Sequence, residues 1–481
     1  MNLKEIAKNS VWFGIIPKLA SIATLFITPL ITPFLTAKDY GIYGIITSYT
    51  GIIGGFAILG LHVHLANSYY EYKSRFGAVW RRLIFWMFIG NLLSFIVSAV
   101  VLWFYLPSVF PWSRGLVIFL STFYMLYSFN MVVVNHYYSI RLIPKPLILK
   151  NLSATLIGIL INFVLIYYLR IGFMAFLISS FISNLFLFFI FFKSFWVDLK
   201  LYPLPNKPDK RVVNWFKVAL PMLPHQIGGT ILASVDRIIM TILALSTVEI
   251  GIYSQGYSMG NYANVFIVSL ITSIAPVIQT TFRNNNLLQM RKMLYFSMGI
   301  TLLIITALSI WMKEIYFLLV RNPDLQICQD VASYTCFSYA MFPFYSMLSA
   351  FCFIEKKTIY VLWLVFIPAI LNIILNFIFI PYYGYMAAAI STIASYWSIA
   401  IIVLIIPYFK NHIIRWFGTL YIPIFLLSTC IFLLVISHFI GNFELLHKVI
   451  ITILVLLIFA IYYYFNKDKV KLFGFQHQDV L

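Results

Sequence analysis

The sequence predicts an all-α integral membrane protein with about fourteen transmembrane helices, arranged as two parallel-repeat six-helix lobes followed by two C-terminal helices. Three observations predict this fold: the apolar composition, apolar stretches of helical length, and an internal repeat. The 481-residue chain is 62% hydrophobic and 10% charged, and its mean hydropathy is +0.94. Soluble domains are roughly half apolar and a quarter charged. Because water cannot cover so much apolar surface, soluble classes of protein are excluded.

Apolar stretches of roughly twenty residues recur along the chain, and each is long enough to cross about 30 Å of hydrocarbon. They lack the alternation of barrel strands, so helices are predicted. The first stretch, 11–35, is longer than the apolar core of a cleaved signal peptide, and we expect an uncleaved helix. The predicted helices are 10–36, 41–66, 83–106, 116–140, 150–169, 172–192, 215–245, 250–281, 294–319, 331–354, 359–380, 384–407, 416–440 and 446–465.

The basic residues lie mostly on one side of this topology. With both termini in the cytoplasm, 25 of the 33 Lys and Arg residues fall in inner segments, 6 in outer segments, and 2 within helices. This bias agrees with the positive-inside rule. The net charge of +19 is therefore explained by topology and does not indicate a nucleic-acid partner. The four cysteines show neither a CxxC motif nor a histidine at ligand spacing, so no disulfide or zinc site is predicted.

A short motif occurs twice, as Gly-Ile-Tyr at 41–43 and again at 251–253. We expect each copy to form the tight outer turn between two helices, with glycine permitting the turn and tyrosine lying at the membrane interface. A second pair of segments, 161–175 and 375–387, matches at nearly the same offset. The first helix of each copy runs outward in the predicted topology, so the repeats are parallel.

The repeat divides the chain into units. The predicted N-lobe is 1–192, with helices one to six, and the predicted C-lobe is 215–407, with helices seven to twelve. The segment 193–214 between them is basic and contains three prolines, as expected of a cytoplasmic linker. Residues 408–481 hold helices thirteen and fourteen and a cytoplasmic tail. Transporters built from such repeats bind substrate between the halves, and rocking of one lobe against the other gives alternating access.

Three segments carry a family resemblance. They are the first helix and its turn, 9–44, LPHQIGGTILASVDRIIM at 223–240, and YYGYMAAAISTIASY at 382–396. With the layout of six, six and two helices, they resemble the polysaccharide flippases of the multidrug/oligosaccharidyl-lipid/polysaccharide exporter superfamily, which share a MATE-like fold. The O-antigen flippases are the nearest group. The resemblance extends over essentially the whole chain.

The resemblance implies a transporter and not an enzyme. Its substrate would be an undecaprenyl-pyrophosphate-linked oligosaccharide, such as an O-antigen or capsule repeat unit, exported from the cytoplasmic to the periplasmic leaflet of the bacterial inner membrane. The expected partners are this lipid-linked glycan, membrane lipids and other polysaccharide-assembly membrane proteins, without nucleic acid. No cofactor or metal is expected. Coupling to the membrane potential, to H⁺ or to Na⁺ stays open.

Ionisable residues at bilayer depth are costly and normally face a cavity or a partner. The clear cases are Lys18 in helix one, and Asp236 and Arg237 in helix seven. We predict that Lys18 and Arg237 line a cationic cavity that attracts pyrophosphate or acidic sugars. The competing interpretations are snorkelling for Lys18 and a structural ion pair for Arg237. Because the two residues are adjacent on a helix, the side chain of Asp236 points about 100° away from that of Arg237. Asp236 is a candidate proton or sodium site, and the competing interpretation is a structural partner to a cation or to the backbone.

Histidines and prolines supply weaker candidates. His62 and His64 in helix two and His225 in helix seven are candidate cavity-lining residues, although a lone helical histidine is often a hydrogen-bonded structural residue. Proline removes a backbone hydrogen bond and kinks a helix. The candidate gating prolines in helices one and seven are Pro29, Pro33, Pro221 and Pro224.

Other transporters and membrane enzymes share some of these sequence features. A peptidoglycan lipid II flippase would share the helix count and a cationic cavity. A multidrug or cation antiporter would share the fold but would favour acidic cavity residues, and the predicted spans of the N-lobe contain none. A membrane polymerase or glycosyltransferase would need large outer loops, whereas the outer loops predicted here are short.

Overall fold

The computed structural model describes residues 19–109, 111–220, 223–450 and 453, and the regular structure of these residues is helical. The helices of the first half are α1 (Leu19–Ile31), α2 (Ala37–Phe56), α3 (Val63–Tyr72), α4 (Phe76–Tyr105), α5 (Arg114–Thr122), α6 (Ser128–Ile140), α7 (Pro144–Tyr167) and α8 (Met174–Phe192). Those of the second half are α9 (Lys210–Ala219), α10 (Leu223–Ile242), α11 (Thr247–Gly260), α12 (Tyr262–Arg283), α13 (Leu287–Ile310), α14 (Met312–Leu319), α15 (Gln329–Ser338), α16 (Phe342–Ile354), α17 (Thr358–Trp397), α18 (Ile399–Ile405), α19 (Pro407–Phe417) and α20 (Tyr421–Gly441).

Many of these helices are long and apolar. In the part of the chain that the structure describes, nine helical stretches have the length and composition to cross a membrane, among them α4, α7 and α13. Three of these stretches are each divided by a break: the fourth predicted span into α5 and α6, the eighth into α11 and α12, and the tenth into α15 and α16. The total of fourteen stays a prediction, because most of the last predicted helix, 446–465, lies outside the described residues.

Two glycines mark equivalent turns of the repeat. Gly172, between α7 and α8, has a φ of +60°, and Gly384, inside α17, has a φ of +61°. Gly384 therefore divides α17 into two helices, at the boundary that the sequence predicts. Residues with a side chain rarely adopt this left-handed conformation, whereas glycine does so readily. A positive φ at both matched positions agrees with the predicted repeat.

The two Gly-Ile-Tyr motifs lie inside helices and not in turns, so that prediction is wrong. Each motif follows a capping box that starts its helix: Thr36 and Asp39 exchange hydrogen bonds before α2, and Ser246 and Glu249 do so before α11. Such reciprocal bonds satisfy backbone N–H groups that a helix start otherwise leaves unpaired. The acidic residue three positions after the Thr or Ser is therefore the helix-start signal of both copies.

The glycines of the two motifs bring α2 and α11 into backbone contact. A Cβ atom added to Gly41 would overlap the carbonyl of Thr247, and one added to Gly251 would overlap the carbonyl of Ala37. Small residues at helix interfaces in membranes permit such close approach. We call this contact the glycine seam. It joins the two halves of the chain at the end that the topology predicts to be outer.

Two further contacts across the halves lie beside the glycine seam. The Asn322 side-chain amide donates to the Leu35 carbonyl over 2.8 Å, and the Arg321 backbone N–H donates to Thr32 Oγ1 over 3.1 Å. A buried hydrophobic cluster continues inward from the seam and includes Ile45 of α2 and Ile239 of α10. The predicted outer end of the interface is therefore closed by both polar and apolar contacts.

The predicted linker is bound to the first half of the chain. Asp209 accepts a hydrogen bond of 2.6 Å from Arg82 of α4, and Trp86 Nε1 donates to Asn206 Oδ1 over 3.0 Å. Asp209 also caps α9 by accepting from the Val212 N–H. The pKa of Asp209 is lowered, first by this backbone hydrogen bond and next by the Arg82 hydrogen bond. The segment that precedes α9 is therefore anchored to α4.

A buried ion pair holds the residues after α20. Lys448 is 0% exposed, and its Nζ lies 2.8 Å and 3.0 Å from the two carboxylate oxygens of Glu314 in α14. Both charges thereby keep hydrogen-bonded partners where water is scarce. The start of the last predicted helix is thus fixed against α14.

Candidate substrate cavity between the lobes

A cavity of about 390 Å³ lies directly beside the glycine seam. One wall comes from α2 in the first half, and the others come from α10, α11 and α12 in the second half. The residues that line it are Tyr40, Tyr43, Gly44, Thr47, Ser48, Ser234, Arg237, Ser254, Tyr257, Ser258, Asn261, Tyr262 and Val265. The lining is rich in hydroxyl groups, and Arg237 is the permanently charged side chain among the described residues that line it. We call this space the central cavity.

Arg237 is 6% exposed and faces the central cavity. Its Nε donates to Ser254 Oγ over 3.1 Å, and its Nη1 donates to the Ala233 carbonyl over 2.9 Å. The guanidinium carbon lies 4.5 Å from the ring centroid of Tyr257, which adds a cation–π contact. In the described chain no carboxylate is ion-paired with Arg237. The guanidinium is thus held in place while its charge stays available to an anion.

Asp236 faces away from the central cavity, into the second half of the chain. It is 0% exposed and accepts hydrogen bonds from the Tyr253 hydroxyl, from Asn376 Nδ2 at 2.7 Å and from Thr392 Oγ1 at 3.1 Å. The three donors lie on α11 and on both parts of α17. The carboxylate therefore ties α10 to three other helical segments, with charge-assisted hydrogen bonds.

Among the described residues, the polar cluster around Asp236 has no counterpart in the first half. Asn376 is the repeat partner of Asn162, and Asn162 Oδ1 has no hydrogen-bond partner among the described residues. The sequence of predicted helix one, 10–36, contains no acidic residue that could be equivalent to Asp236. In the part of the chain that the structure describes, the fully buried carboxylate is therefore a feature of the second bundle.

The remaining predicted site residues lie elsewhere or outside the description. Lys18 and Pro221 are outside the described residues. His62 and His64 lie at the start of α3 and do not line the central cavity: the rings of His62 and His136 are 5.8 Å apart, and His64 Nε2 bonds the Trp215 carbonyl at 3.0 Å. His225 lies in α10, and its side chain is outside the described residues. The cavity roles of Lys18 and His225 and the gating role of Pro221 stay predictions, and no contact with the central cavity supports those of His62 and His64.

The gating prolines occupy different kinds of position. Pro29 is inside α1, where it removes a helical hydrogen bond. Pro33 is in the 3₁₀ turn Thr32–Phe34 that follows. Pro224 is the second described residue of α10. Residues 221 and 222, between α9 and α10, lie outside the described residues, so the kink predicted at Pro224 stays a prediction.

Most of the cavity lining was missed by the sequence analysis. The missed residues include Tyr43, Ser254, Tyr257 and Asn261, which lie on the helices that carry the Gly-Ile-Tyr motifs. Within the described residues, the first half contributes to the cavity lining through α2, while Lys18 of predicted helix one lies outside the description. The sequence does contain a signal that could have predicted this lining. Small and hydroxyl-bearing residues recur at helical spacing from Gly44 to Ser48 and from Ser254 to Asn261.

Solved structures share the fold. The lipid II flippase MurJ in an inward closed conformation matches with a TM-score of 0.67 and 16% identity, covering 96% of this chain and 100% of that chain. An inward-facing MATE transporter of the MOP superfamily matches with a TM-score of 0.59 and 16% identity, covering 86% and 99%. A MOP superfamily transporter from Pyrococcus furiosus matches with a TM-score of 0.51 and 14% identity, covering 86% and 96%.

The sequence itself identifies the family. No curated protein matches it. The sequence model of the family described as polysaccharide biosynthesis protein matches residues 6–282, which is more than half of the chain. The matched range extends from the first predicted helix through α12, and so includes all the elements that line the central cavity. The chain therefore belongs to the polysaccharide biosynthesis protein family.

Proposed function

We propose that the protein is a flippase that moves an undecaprenyl-pyrophosphate-linked oligosaccharide from the cytoplasmic to the periplasmic leaflet of the bacterial inner membrane. The observation that carries the proposal is the position of Arg237: a buried cation, fixed by Ser254 and Ala233, lines a hydroxyl-rich cavity between the two halves. Such a site can bind the pyrophosphate of the carrier through a bidentate guanidinium contact. The family membership supports the glycan part of this substrate.

The transport step in this proposal is alternating access. The glycine seam closes the predicted outer end in the present conformation, and separating α2 from α11 would open the central cavity to the other side. A pyrophosphate diester carries two negative charges. Moving each charge outward through a negative-inside potential releases about 2.3 kcal/mol per 100 mV. The membrane potential is therefore a sufficient driving force for export.

The role of Arg237 is tested by flipping in proteoliposomes that contain a lipid-linked oligosaccharide. We expect Arg237→Ala to lower the flipping rate at least tenfold and Arg237→Lys to retain part of it, since lysine keeps the charge and loses the planar fork. Lys38→Ala is the matched control, because Lys38 is exposed and does not line the cavity. Equal rates in Arg237→Ala and the control would reject the proposed substrate site.

Ion coupling through Asp236 is the second part of the proposal. The buried carboxylate with its three donors is a candidate for H⁺ or Na⁺ exchange, and it lies on the residue next to Arg237 in α10. We expect Asp236→Asn to remove any dependence of flipping on a H⁺ or Na⁺ gradient while leaving dependence on the potential. Collapsing the potential with the ion gradients kept separates the two driving forces: undiminished flipping would exclude the potential as the driver.

Two alternatives from the same superfamily give different outcomes in this assay. A lipid II flippase would prefer lipid II to other lipid-linked glycans when both are offered. A multidrug or cation antiporter would move organic cations, and this is disfavoured because no described residue that lines the cavity is acidic. The proposed location in the inner membrane, with both termini cytoplasmic, and the proposed association with other polysaccharide-assembly proteins are tested by cell fractionation and crosslinking.

A further inference from the structure

The central cavity contains a helix break at Asn261. α11 ends at Gly260 and α12 begins at Tyr262, so Asn261 is the junction of the two helices. The neighbouring transmembrane segment is broken at the same level, where the 3₁₀ turn that starts at Tyr339 separates α15 from α16. In transporters, discontinuous helices commonly form the substrate and ion sites. The hydrogen bonds of Arg237 and Asp236 involve neither Asn261 nor Tyr339.

Close helix packing brings the two breaks together. A Cβ atom on Gly260 would lie 2.6 Å from the Ala332 carbonyl, and one on Gly256 would lie 2.6 Å from the Cys328 carbonyl. α15 therefore packs directly against the glycine face of α11. As a result the Tyr339 hydroxyl reaches Asn261 from behind, on the side away from the central cavity.

Hydrogen bonds fix the orientation of the Asn261 amide. The Tyr339 hydroxyl donates to Asn261 Oδ1 over 2.7 Å, and Asn264 Nδ2 donates to the same oxygen over 3.3 Å. The Tyr257 and Tyr339 hydroxyls lie 3.4 Å apart, and since Tyr339 gives its proton to Asn261, Tyr257 is the donor of this pair. The carbonyl of Asn261 is thus occupied, and its two N–H donors remain for a ligand in the cavity.

Asn261 lies about one helical turn from the residue that covers the Arg237 guanidinium. It lies one helical turn after Tyr257, a rise of about 6 Å, and the ring of Tyr257 covers the Arg237 guanidinium. Tyr262, beside Asn261 in the lining, adds a half-buried aromatic ring. The cavity therefore presents a cation and, about one turn away, two neutral donors next to an aromatic surface.

We propose that Asn261 forms a subsite for the sugar that is attached directly to the pyrophosphate. Its N–H groups donate to an acceptor of that sugar, a hydroxyl oxygen or an acetamido carbonyl, and Tyr262 contacts the sugar ring. Tyr339 is a positioning residue, which acts by holding the amide in this orientation. This inference rests on the proposed function and adds a sugar-reading element that is separate from pyrophosphate capture by Arg237.

Two lipid probes separate the sugar contact from the pyrophosphate contact. Equilibrium binding to the full-length protein in nanodiscs is measured with undecaprenyl pyrophosphate and with the same lipid carrying N-acetylglucosamine. We expect Asn261→Leu to weaken binding of the glycosylated probe about tenfold, as for loss of a hydrogen bond of about 1.4 kcal/mol, and to change binding of the sugar-free probe less than twofold. Arg237→Ala should weaken binding of both probes.

Tyr339→Phe provides the second variant, because Tyr339 does not line the cavity. We expect Tyr339→Phe to weaken binding of the glycosylated probe less than Asn261→Leu does, and to leave binding of the sugar-free probe unchanged. Adding Tyr339→Phe to Asn261→Leu should cause no further loss of affinity. If Asn261→Leu lowers the affinity for both probes equally, or for neither, the sugar subsite is overturned, while the role of Arg237 and the flippase proposal remain intact. Failure of the unmodified protein to bind either probe would overturn both proposals.

Discussion

At the scale of single residues, Asp236 and Arg237 show how one helix serves two environments. The side chains are adjacent in sequence, and α10 turns about 100° between them. Arg237 therefore faces the central cavity, and Asp236 faces Tyr253, Asn376 and Thr392. The sequence predicted that the two side chains diverge. Their partners could not be predicted, since these lie 17 to 156 positions away along the chain.

The two capping carboxylates differ in a way that can be measured. Asp39 Oδ2 accepts from Thr36, and Asp39 Oδ1 also accepts from the Phe173 backbone N–H over 2.8 Å. Glu249 accepts only within its own capping box among the described contacts. We expect Asp39→Ala to lower the free energy of unfolding by about 2 kcal/mol more than Glu249→Ala, because a charged hydrogen bond between segments is lost as well.

Thermal unfolding in detergent, monitored by tryptophan fluorescence, measures both variants side by side. The matched variants Thr36→Ala and Ser246→Ala remove only the cap hydroxyl, and each should cost about 1 kcal/mol. Equal destabilisation by Asp39→Ala and Glu249→Ala would contradict the additional role of Asp39.

At the scale of helices, the Gly-Ile-Tyr repeat is explained by packing. Its glycines do not serve a turn, because Gly41 and Gly251 are helical. They serve the contact between α2 and α11, which a side chain would prevent. The turn function belongs to another repeated pair, Gly172 and Gly384, whose φ values are positive. Sequence spacing showed that the motifs are equivalent, and only the structure showed that they touch each other.

The glycine seam makes a prediction about conformation. Gly251→Ala would place a methyl group against the Ala37 backbone, so we expect it to shift the protein toward conformations in which the predicted outer end is open. Spin labels at Lys38 and Val248, both exposed, report this as a longer interlabel distance. Gly54→Ala is the control, since its Cβ would make only an ordinary contact of 3.6 Å with Met125. The same distance distribution in both variants would contradict the seam as the outer closure.

The anchored linker makes a prediction about pH. The lowered pKa of Asp209 means that the folded state favours the ionised carboxylate more than the unfolded state does. Its contribution to stability is therefore present above the unfolded pKa of about 3.9 and is lost as the pH falls through the folded pKa. We expect Asp209→Asn to lower the unfolding temperature at pH 6, and this difference to shrink progressively as the pH falls below the unfolded pKa.

The control for the linker experiment is Asp198→Asn. Asp198 is an exposed carboxylate of the same segment, with no ion pair among the described residues. An unfolding temperature that falls equally in both variants, or a pH-independent effect of Asp209→Asn, would show that the contact with Arg82 does not stabilise the linker.

At the scale of the whole molecule, the described parts of the two halves meet in an arrangement that leaves a polar space, the central cavity, between them. The hydrophobic cluster that includes Ile45 and Ile239 and the glycine seam close one end, and the central cavity begins next to them. Basic residues are concentrated in the predicted inner segments. A buried arginine, Arg237, lines the central cavity. This combination suits an anionic, amphipathic substrate.

The orientation that the charge bias predicts can be tested directly. We expect a cysteine at Lys38 to react with a membrane-impermeant maleimide in intact spheroplasts, and a cysteine at Lys207 to react only after lysis. The native cysteines among the described residues are buried and give a low background. Labelling of both positions, or the reverse order, would contradict the predicted topology.

The sequence by itself determined the membrane environment, the helical class, the parallel repeat and the identity of one cavity cation, Arg237. These features depend on composition and local spacing, which a single chain displays without folding. The tertiary structure decided which faces meet: that α2 and not the described part of helix one lines the cavity, that His62 and His64 lie outside it, that Asp236 joins helical segments, and that Asn261 faces the site. Contacts between distant segments depend on how helices pack, and residue spacing along one helix does not encode the partner on another.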